Sequence, residues 1–413
     1  KQDDQTPKYQ ARDAAIMKGK FFDCPVLLGS ATPSIESMYN ALSQKYSLLE
    51  LPQRVDDAQL PKITLVNVVD EKKNKRMENV FSQLLLSKID DRLKKKEGII
   101  ILQNRRGFAT QIYCLECANI EFCDSCSVSL VFHINEKKLR CHYCDFEKKI
   151  PENCSQCGSK HLKYFGTGTE RVEDELAIHF PEAIISRIDS DSISKKGNLG
   201  NILRRFREGE INILVGTQIV SKGMDFPHVT LVGVVSAETN LWMPDFRADE
   251  RTFQLLTQVA GRSGRSKIEG EVVIQTQNDK HFVLRKVIEN DYKGFYEKEI
   301  LDRNKRSYPP FMRLALIEAK DKNESRAKEV ITDFYNEIKK FKNYLVVTSP
   351  TTAIIAKLKD EYRFQILIKS SRLTDPGGGY LRQAITSAFE HSRKNSKFQD
   401  VKVFFDIDPQ NIL

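Results

Sequence analysis

The chain has 413 residues, enough for roughly two to four domains of about 100–200 residues each, and its 40% hydrophobic and 29% charged content excludes a low-complexity chain. It contains no run of about 18 apolar residues, so no transmembrane helix is expected, and its opening KQDDQTPKYQ lacks the apolar core of a secretory signal. Sixty-five basic against 56 acidic residues leave a net charge of +9, a modest excess that suits a polyanionic partner without demanding one.

In chain order, CPVLLGS predicts an apolar strand, with Cys24 before it as a small buried hydrophobe. EGIIILQN predicts a buried strand before a cysteine-rich stretch, and HLKYFG predicts another after it. A helix near TERVEDELAIHF, a strand AIISRID, a helix LGNILRRFREGE and a strand INILVGTQ follow. Then come a strand VTLVGVVSAE, a helix DERTFQLLTQVAG and a strand GEVVIQTQ. Continuous apolar strands alternating with amphipathic helices predict an α/β domain, a parallel sheet with helices on both faces, over residues 98–280. The cysteine-rich stretch, residues 112–160, is then an insertion into that domain. Residues 56–97 read as a linker and the entry into it.

Beyond residue 281 the pattern changes. A basic, aromatic helix and turn, DYKGFYEKEILDRNKRSYPPF, lead to a strand FMRLALIEAK and a long helix ESRAKEVITDFYNEIKKF. Strands near YLVVTS, AIIAKL and RFQILIKS, a helix after DPGGGYLRQ and a strand VKVFFDID complete the chain. This reads as a small α+β domain with helices on one face of a mixed or antiparallel sheet. Arg303, Lys305, Arg306, Tyr308 and Phe311 suit phosphate contact and base stacking, or equally a solvated basic face.

Eight of the nine cysteines form four Cys-x-x-Cys pairs: Cys114/Cys117, Cys123/Cys126, Cys141/Cys144 and Cys154/Cys157. Such a turn sets two thiolates on one side of a metal, and two turns complete a tetrahedral zinc site. Four turns make two structural Zn2+ sites, with three possible pairings. The 14 residues between Cys126 and Cys141 suit a zinc ribbon, near the usual ~15–20. A nested arrangement is therefore favoured, with Cys123, Cys126, Cys141 and Cys144 on one zinc and Cys114, Cys117, Cys154 and Cys157 on the other. Pairing neighbouring turns would be tight. Redox dithiols and a disulfide framework compete with zinc, and four regular turns weigh against both. Each zinc, saturated by sulfur, would fold a module and leave no open position for hydrolysis. His142 and His161 are surplus as ligands and read as surface residues.

Three loops at element ends carry the remaining signal. GTGTERVEDEL places Gly166, Thr167, Gly168 and Thr169 at a helix start, as a phosphate cradle or as a plain cap. GTQIVSKGMDFPHV follows a strand with Thr217, Gln218, Lys222, Gly223 and Asp225. QVAGRSGR ends a helix with Gln258, Arg262 and Arg265, two arginines three apart that suit the developing charge of a triphosphate.

GSATPSIES, GTQIVSKGMDFP and QVAGRSGR resemble motifs III, V and VI of superfamily 2 helicases. The run NRRGF…CLEC…CDSC…CHYC…CSQCG…YFGTGTERVE resembles, more narrowly, the primosomal protein N′ (PriA) family of bacterial replication-restart helicases. The likeness extends over essentially the whole chain. It implies a RecA-like helicase lobe 2 carrying the two-zinc ribbon, preceded over residues 1–55 by the C-terminal remnant of lobe 1. It further implies an α+β DNA-binding domain over residues 281–413. By the same resemblance Ser30 and Thr32 couple nucleotide state to DNA movement, while Gly223 and Asp225 contact nucleotide and DNA backbone. Arg265 is the expected arginine finger, with Arg262 and Gln258 beside it. Thr217, Gln218 and Lys222 fall to DNA contact. Trp242 and Phe246 suit stacking on exposed bases, or ordinary loop packing.

The sequence departs from that pattern in one respect. It contains neither the Gly-Lys-Thr/Ser phosphate loop nor the acidic box that holds Mg2+. The natural protein is expected to be larger, with this chain as its C-terminal part, inactive alone towards ATP and duplex. The resemblance implies an ATP-dependent 3′-to-5′ DNA helicase that recognises and remodels stalled replication forks and initiates primosome assembly. Its expected ligands and partners are ATP with Mg2+, two Zn2+, forks, D-loops, single-stranded DNA, single-stranded DNA-binding protein and the proteins that load the replicative helicase. A monomer in the bacterial cytoplasm, nucleoid-associated and off the membrane, is expected. The alternative is a non-enzymatic zinc-ribbon scaffold that binds nucleic acid. A Cys-x-x-Cys redox protein leaves the SAT and arginine motifs unexplained.

Overall fold

The computed structural model describes residues 9–52, 60–103, 111–114, 121, 130–133, 138–140, 146–165, 169–188, 198–217, 226–237, 241, 245–261 and 270–410. The chain divides into two compact units. One comprises Lys1–Leu48, Asp124–Val128 and Glu297–Leu413, and the other Leu49–Cys123 and Ser129–Tyr296.

The first unit begins with helices α1 (Ala11–Phe21) and α2 (Ile35–Leu42). Ser34 caps α2 by accepting the Ser37 N–H at 3.2 Å. The strand expected at CPVLLGS is absent: residues 24–30 have no ladder partner among the described residues, and Val26, Leu27 and Leu28 are exposed. Cys24 is exposed too, not the buried hydrophobe expected. An extended segment with no neighbouring strand has nothing to bury its side chains against.

The second unit is built on a six-stranded parallel sheet. Its strands are β1 (Lys62–Asn67), β2 (Gly98–Leu102), β5 (Ile185–Ile188), β6 (Ile213–Gly216), β7 (Val229–Val234) and β8 (Glu271–Thr276), while β3 (Gln111–Cys114) and β4 (Leu162–Phe165) stand apart. The spatial order is β1-β8-β7-β2-β6-β5. Strands β2, β6 and β7 are buried along their whole length, which is why their sequences read as unbroken apolar runs. Helix α3 (Gln83–Lys94) packs Leu85 and Ile89 against the sheet in a core with Ile99, Ile101, Val215 and Leu231. Its approach over β7 requires Gly233, where a Cβ would stand 2.8 Å from Ile101 Cδ1 and 2.9 Å from Leu85 Cδ1. Helices α4 (Thr169–His179), α5 (Asn198–Arg207) and α6 (Ala248–Ala260) complete the alternation.

Of residues 56–97, read as a linker and the entry into the α/β domain, Lys62–Asn67 and Gln83–Lys94 are part of the sheet and its core. Strand β1 pairs in parallel with β8, Lys62 opposite Glu271, and α3 belongs to the core. The sequence hides both because the strand is a half-exposed edge and the helix is rich in charge.

HLKYFG forms a strand, but outside the main sheet. It pairs antiparallel with β3 at the base of the cysteine-rich insertion. Within the insertion Val131–His133, Lys138–Arg140 and Glu147–Lys149 form a small antiparallel sheet.

The first unit resumes along α7 (Tyr292–Lys305), which begins in the other unit, and continues with β9 (Met312–Asp321), α8 (Glu324–Lys339), β10 (Leu345–Val347), β11 (Thr351–Leu358), β12 (Glu361–Ser371), α9 (Gly379–Lys394) and β13 (Lys402–Ile407). The sheet is antiparallel, ordered β10-β12-β9-β13 with β11 beside β12. Alternate residues Ala315, Ile317 and Ala319 of β9 and Phe364, Ile366 and Ile368 of β12 meet Val330, Phe334, Ile338, Ala384 and Ala388 of the two helices. With β11 set aside as an extra strand beside β12, the remaining β-α-β-β-α-β order is that of a split βαβ fold. Helix α9 is capped by Asp375, which accepts from Leu381 N–H at 3.1 Å and Ser370 Oγ at 2.8 Å. Burial pushes this carboxyl up, but those hydrogen bonds outweigh it and hold it below the usual carboxylate range.

Candidate functional site

From β2 the chain runs to β5 at one edge, returns through β6 beside β2, then crosses to β7 and β8 on the other side. The carboxyl ends at this switch point are where an open parallel sheet receives a ligand. Thr217 follows β6 there and is 4% exposed. Gln103 follows β2, is 1% exposed, and donates its N–H to Gly216 O at 2.9 Å. Sequence reasoning passed over Gln103; its signal is a polar residue directly after four apolar ones. Gln218, Lys222, Gly223 and Asp225 lie outside the described residues, as do Gly166, Thr167 and Gly168.

Gln258 is exposed near the end of α6, whose opposite face buries Phe253, Leu255, Leu256 and Val259. The helix runs antiparallel to the strands. Its last residues, Ala260 and Gly261, line a small cavity with Leu60, Pro61 and Ile63 at the amino end of β1. Gln258 and Thr217 sit on different elements, the last turn of α6 and the residue after β6. Arg262 and Arg265 lie outside the described residues.

The entrance to α6 holds a buried charged group. Asp245 accepts the Arg247 N–H at 2.8 Å and an Arg251 Nη1 hydrogen at 3.3 Å, and Arg247 stands 3.6 Å from Glu250. Phe246 is half-buried, with the Arg247 guanidinium 4.4 Å from its ring centroid. Trp242 is outside the described residues.

In the first unit Ser30 is exposed and its Oγ accepts the Thr32 N–H at 3.1 Å, while Thr32 is 4% exposed. The turn leads into α2, where Arg12 Nη1 donates to Ser34 Oγ at 2.8 Å and to Ser37 Oγ at 3.0 Å. Arg303, read from sequence as a phosphate contact, is 2% exposed and bound to Glu299 and Glu36, so it cannot reach a phosphate. The reason is tertiary, since Glu36 comes from the other end of the chain. Phe311 is likewise engaged, edge-on to Tyr39 at 5.3 Å, and Tyr308 carries Lys369 Nζ 4.0 Å from its ring centroid.

In the insertion, Cys154 is buried and Cys157 exposed on one turn. Cys154 N–H donates to Ser159 O at 2.8 Å and Gly158 N–H to Cys154 O at 2.9 Å. Gly158 has φ +73°, a conformation that favours glycine. A tight Cys-x-x-Cys-Gly turn of this kind fits half of a tetrahedral thiolate site. Cys114 ends β3 with its backbone opposite Leu162. Cys117, Cys123, Cys126, Cys141 and Cys144 lie outside the described residues, and among the described ones no three potential ligands gather at a point. His161 is exposed, as expected, and His142 is not described. Among the described residues no helix is long and apolar enough to cross a membrane.

Three stretches match known families: residues 123–149 the PriA DNA helicase Cys-rich region domain, 158–267 the helicase conserved C-terminal domain, and 304–410 the primosomal protein N C-terminal domain. The replication restart protein PriA of Bacillus subtilis is 37% identical over 98% of the chain and 50% of its own length. That of Chlamydia pneumoniae is 38% identical over 99% of the chain and 54% of its own length. The chain thus spans about half the length of the curated relatives it matches. Among solved structures, RecG bound to a three-way DNA junction aligns with 66% of the chain and 26% of its own length, at 13% identity and a TM-score of 0.37.

Proposed function

The chain belongs to the PriA family of replication restart proteins, and on that premise we propose that it serves, within a longer protein, an ATP-dependent 3′-to-5′ DNA helicase that recognises and remodels stalled replication forks and initiates primosome assembly. The observation that carries this reading is 37% identity along 98% of the chain, through all three matched stretches. ATP with Mg2+ is held by a phosphate loop and acidic box that these 413 residues do not contain. What this chain supplies is charge and coupling. Arg265, with Arg262 and Gln258, neutralises the charge that develops on the transferred phosphoryl group. Gly223 and Asp225 contact nucleotide and DNA backbone. Thr217, at the carboxyl end of β6, contacts DNA together with Gln218 and Lys222, and Trp242 and Phe246 stack on exposed bases. Ser30 and Thr32 link nucleotide state to DNA movement.

Two structural zinc ions hold the insertion, one on Cys114, Cys117, Cys154 and Cys157, the other on Cys123, Cys126, Cys141 and Cys144. The Cys154–Gly158 turn and the β3–β4 pairing support this arrangement. The partners are forks, D-loops and single-stranded DNA, single-stranded DNA-binding protein, and the proteins that load the replicative helicase. The protein acts as a monomer in the cytoplasm, at the nucleoid.

The test is ATP turnover and strand separation by the full-length protein on forks bearing either a 3′ or a 5′ single-stranded arm. DNA-stimulated turnover with 3′-to-5′ unwinding is expected. Fork binding without turnover would instead make it a zinc-ribbon scaffold.

A further inference from the structure

Arg303 is a buried guanidinium on α7, and α2 is the helix that directly follows Ser30 and Thr32. Its Nε donates to Glu299 Oε1, one turn back, at 2.8 Å. Its Nη1 donates to Glu36 Oε1 at 3.1 Å and to Pro309 O at 3.4 Å. A guanidinium buried this far is stable only while its carboxylates stay in place. Close by, Tyr39 of α2 sets its ring edge-on to Phe311. The same helix start is gripped by Arg12, which donates to Ser34 and Ser37. Helix α2 therefore cannot shift without carrying the Arg303 segment along or breaking a buried ion pair.

We propose that the Glu36–Arg303 pair is the tie through which movement of the Ser30–Thr32 segment reaches α7 and the split βαβ domain during ATP turnover. Both are positioning residues. They set how much strand separation each hydrolysis yields and take no part in the hydrolysis itself. The inference rests on the helicase reading above and adds a specific mechanical link to it.

The experiment uses the full-length protein and forked DNA, with ATP turnover, unwinding and fork binding measured side by side. In Glu36→Gln, turnover should stay within about twofold of wild type while base pairs opened per ATP fall about fivefold or more, the lower end of ordinary coupling between sites. Arg303→Lys, which keeps the charge but loses the planar fork, should act in the same direction and serves if Glu36→Gln does not fold. Turnover and unwinding falling in proportion would make the pair merely structural and overturn the proposal. So would unchanged coupling. If wild type itself shows no DNA-stimulated turnover, the helicase reading fails and the tie with it, an outcome visible in the wild-type measurement alone.

Discussion

Cys114 and Leu162 stand opposite each other across the antiparallel ribbon of β3 and β4. The chain thus enters and leaves the cysteine-rich insertion at one place, and the turn of Cys154 and Cys157 ends just before β4 brings the chain back past Cys114. Eight thiolates at four per tetrahedral site predict about two zinc ions per chain. Cys114→Ser and Cys154→Ser should each lose one zinc, and together the same one. Cys123→Ser combined with Cys154→Ser should lose both. Metal analysis of the purified variants decides it, and loss of both ions in the Cys114/Cys154 double variant would sink the nested pairing.

Gln275 ties β8 to the residue after β7 and to the Val80–Ser82 stretch that leads into α3. Fully buried, its Oε1 accepts the Ser82 N–H at 2.7 Å, and its Nε2 donates to Val80 O at 2.8 Å and Val235 O at 3.1 Å. Gln275→Leu preserves bulk but strands these backbone groups, and should destabilise the sheet by about 1–3 kcal/mol. Urea unfolding of the two proteins would show a lower midpoint for the variant. An unchanged midpoint would mean other groups or water replace the amide.

His228 packs against Phe206, ring centroids 5.0 Å apart, and its buried Nε2 has no hydrogen-bond partner among the described residues. Burial holds its pKa below the usual histidine value. The unfolded chain therefore takes up this proton more readily than the folded one. Its contribution to stability is full above the unfolded pKa of about 6.5 and declines as pH falls below it. Unfolding midpoints between about pH 5 and 7.5 should drop more steeply towards acid in wild type than in His228→Leu. Parallel curves would count against this assignment.

Arg265→Ala in the full-length protein should lower DNA-stimulated ATP turnover by about 10³-fold or more, the usual weight of an arginine finger. Fork affinity should remain near wild type, because the residue is assigned to nucleotide and not to DNA. Titration of a labelled fork alongside phosphate release separates the two. Equal loss of both would reassign Arg265 to DNA binding or to structure.

Much of the fold is legible in residue order. The runs IIIL, ILVG and VTLVGV read as strands because a parallel strand covered on both faces has no polar side to display. The helices of the split βαβ domain read from their apolar stripes. Strand β1 was missed because it lies at a sheet edge, where only Val66 is fully buried. Gln103 has only the weak signal of a polar residue after four apolar ones, and its burial depends on how β2 and β6 pair.

By itself the sequence determined the kinds of element, the four cysteine turns and the order of the motifs, since burial and turn geometry are written into local spacing. It could not determine what those elements meet. Arg303 looks like a basic surface residue until Glu36 arrives beside it from 267 positions away. Val26 to Leu28 look like a strand, yet they have no ladder partner among the described residues. Only the tertiary structure decided these, because a long-range contact depends on how whole elements pack, and side-chain type alone does not name the partner.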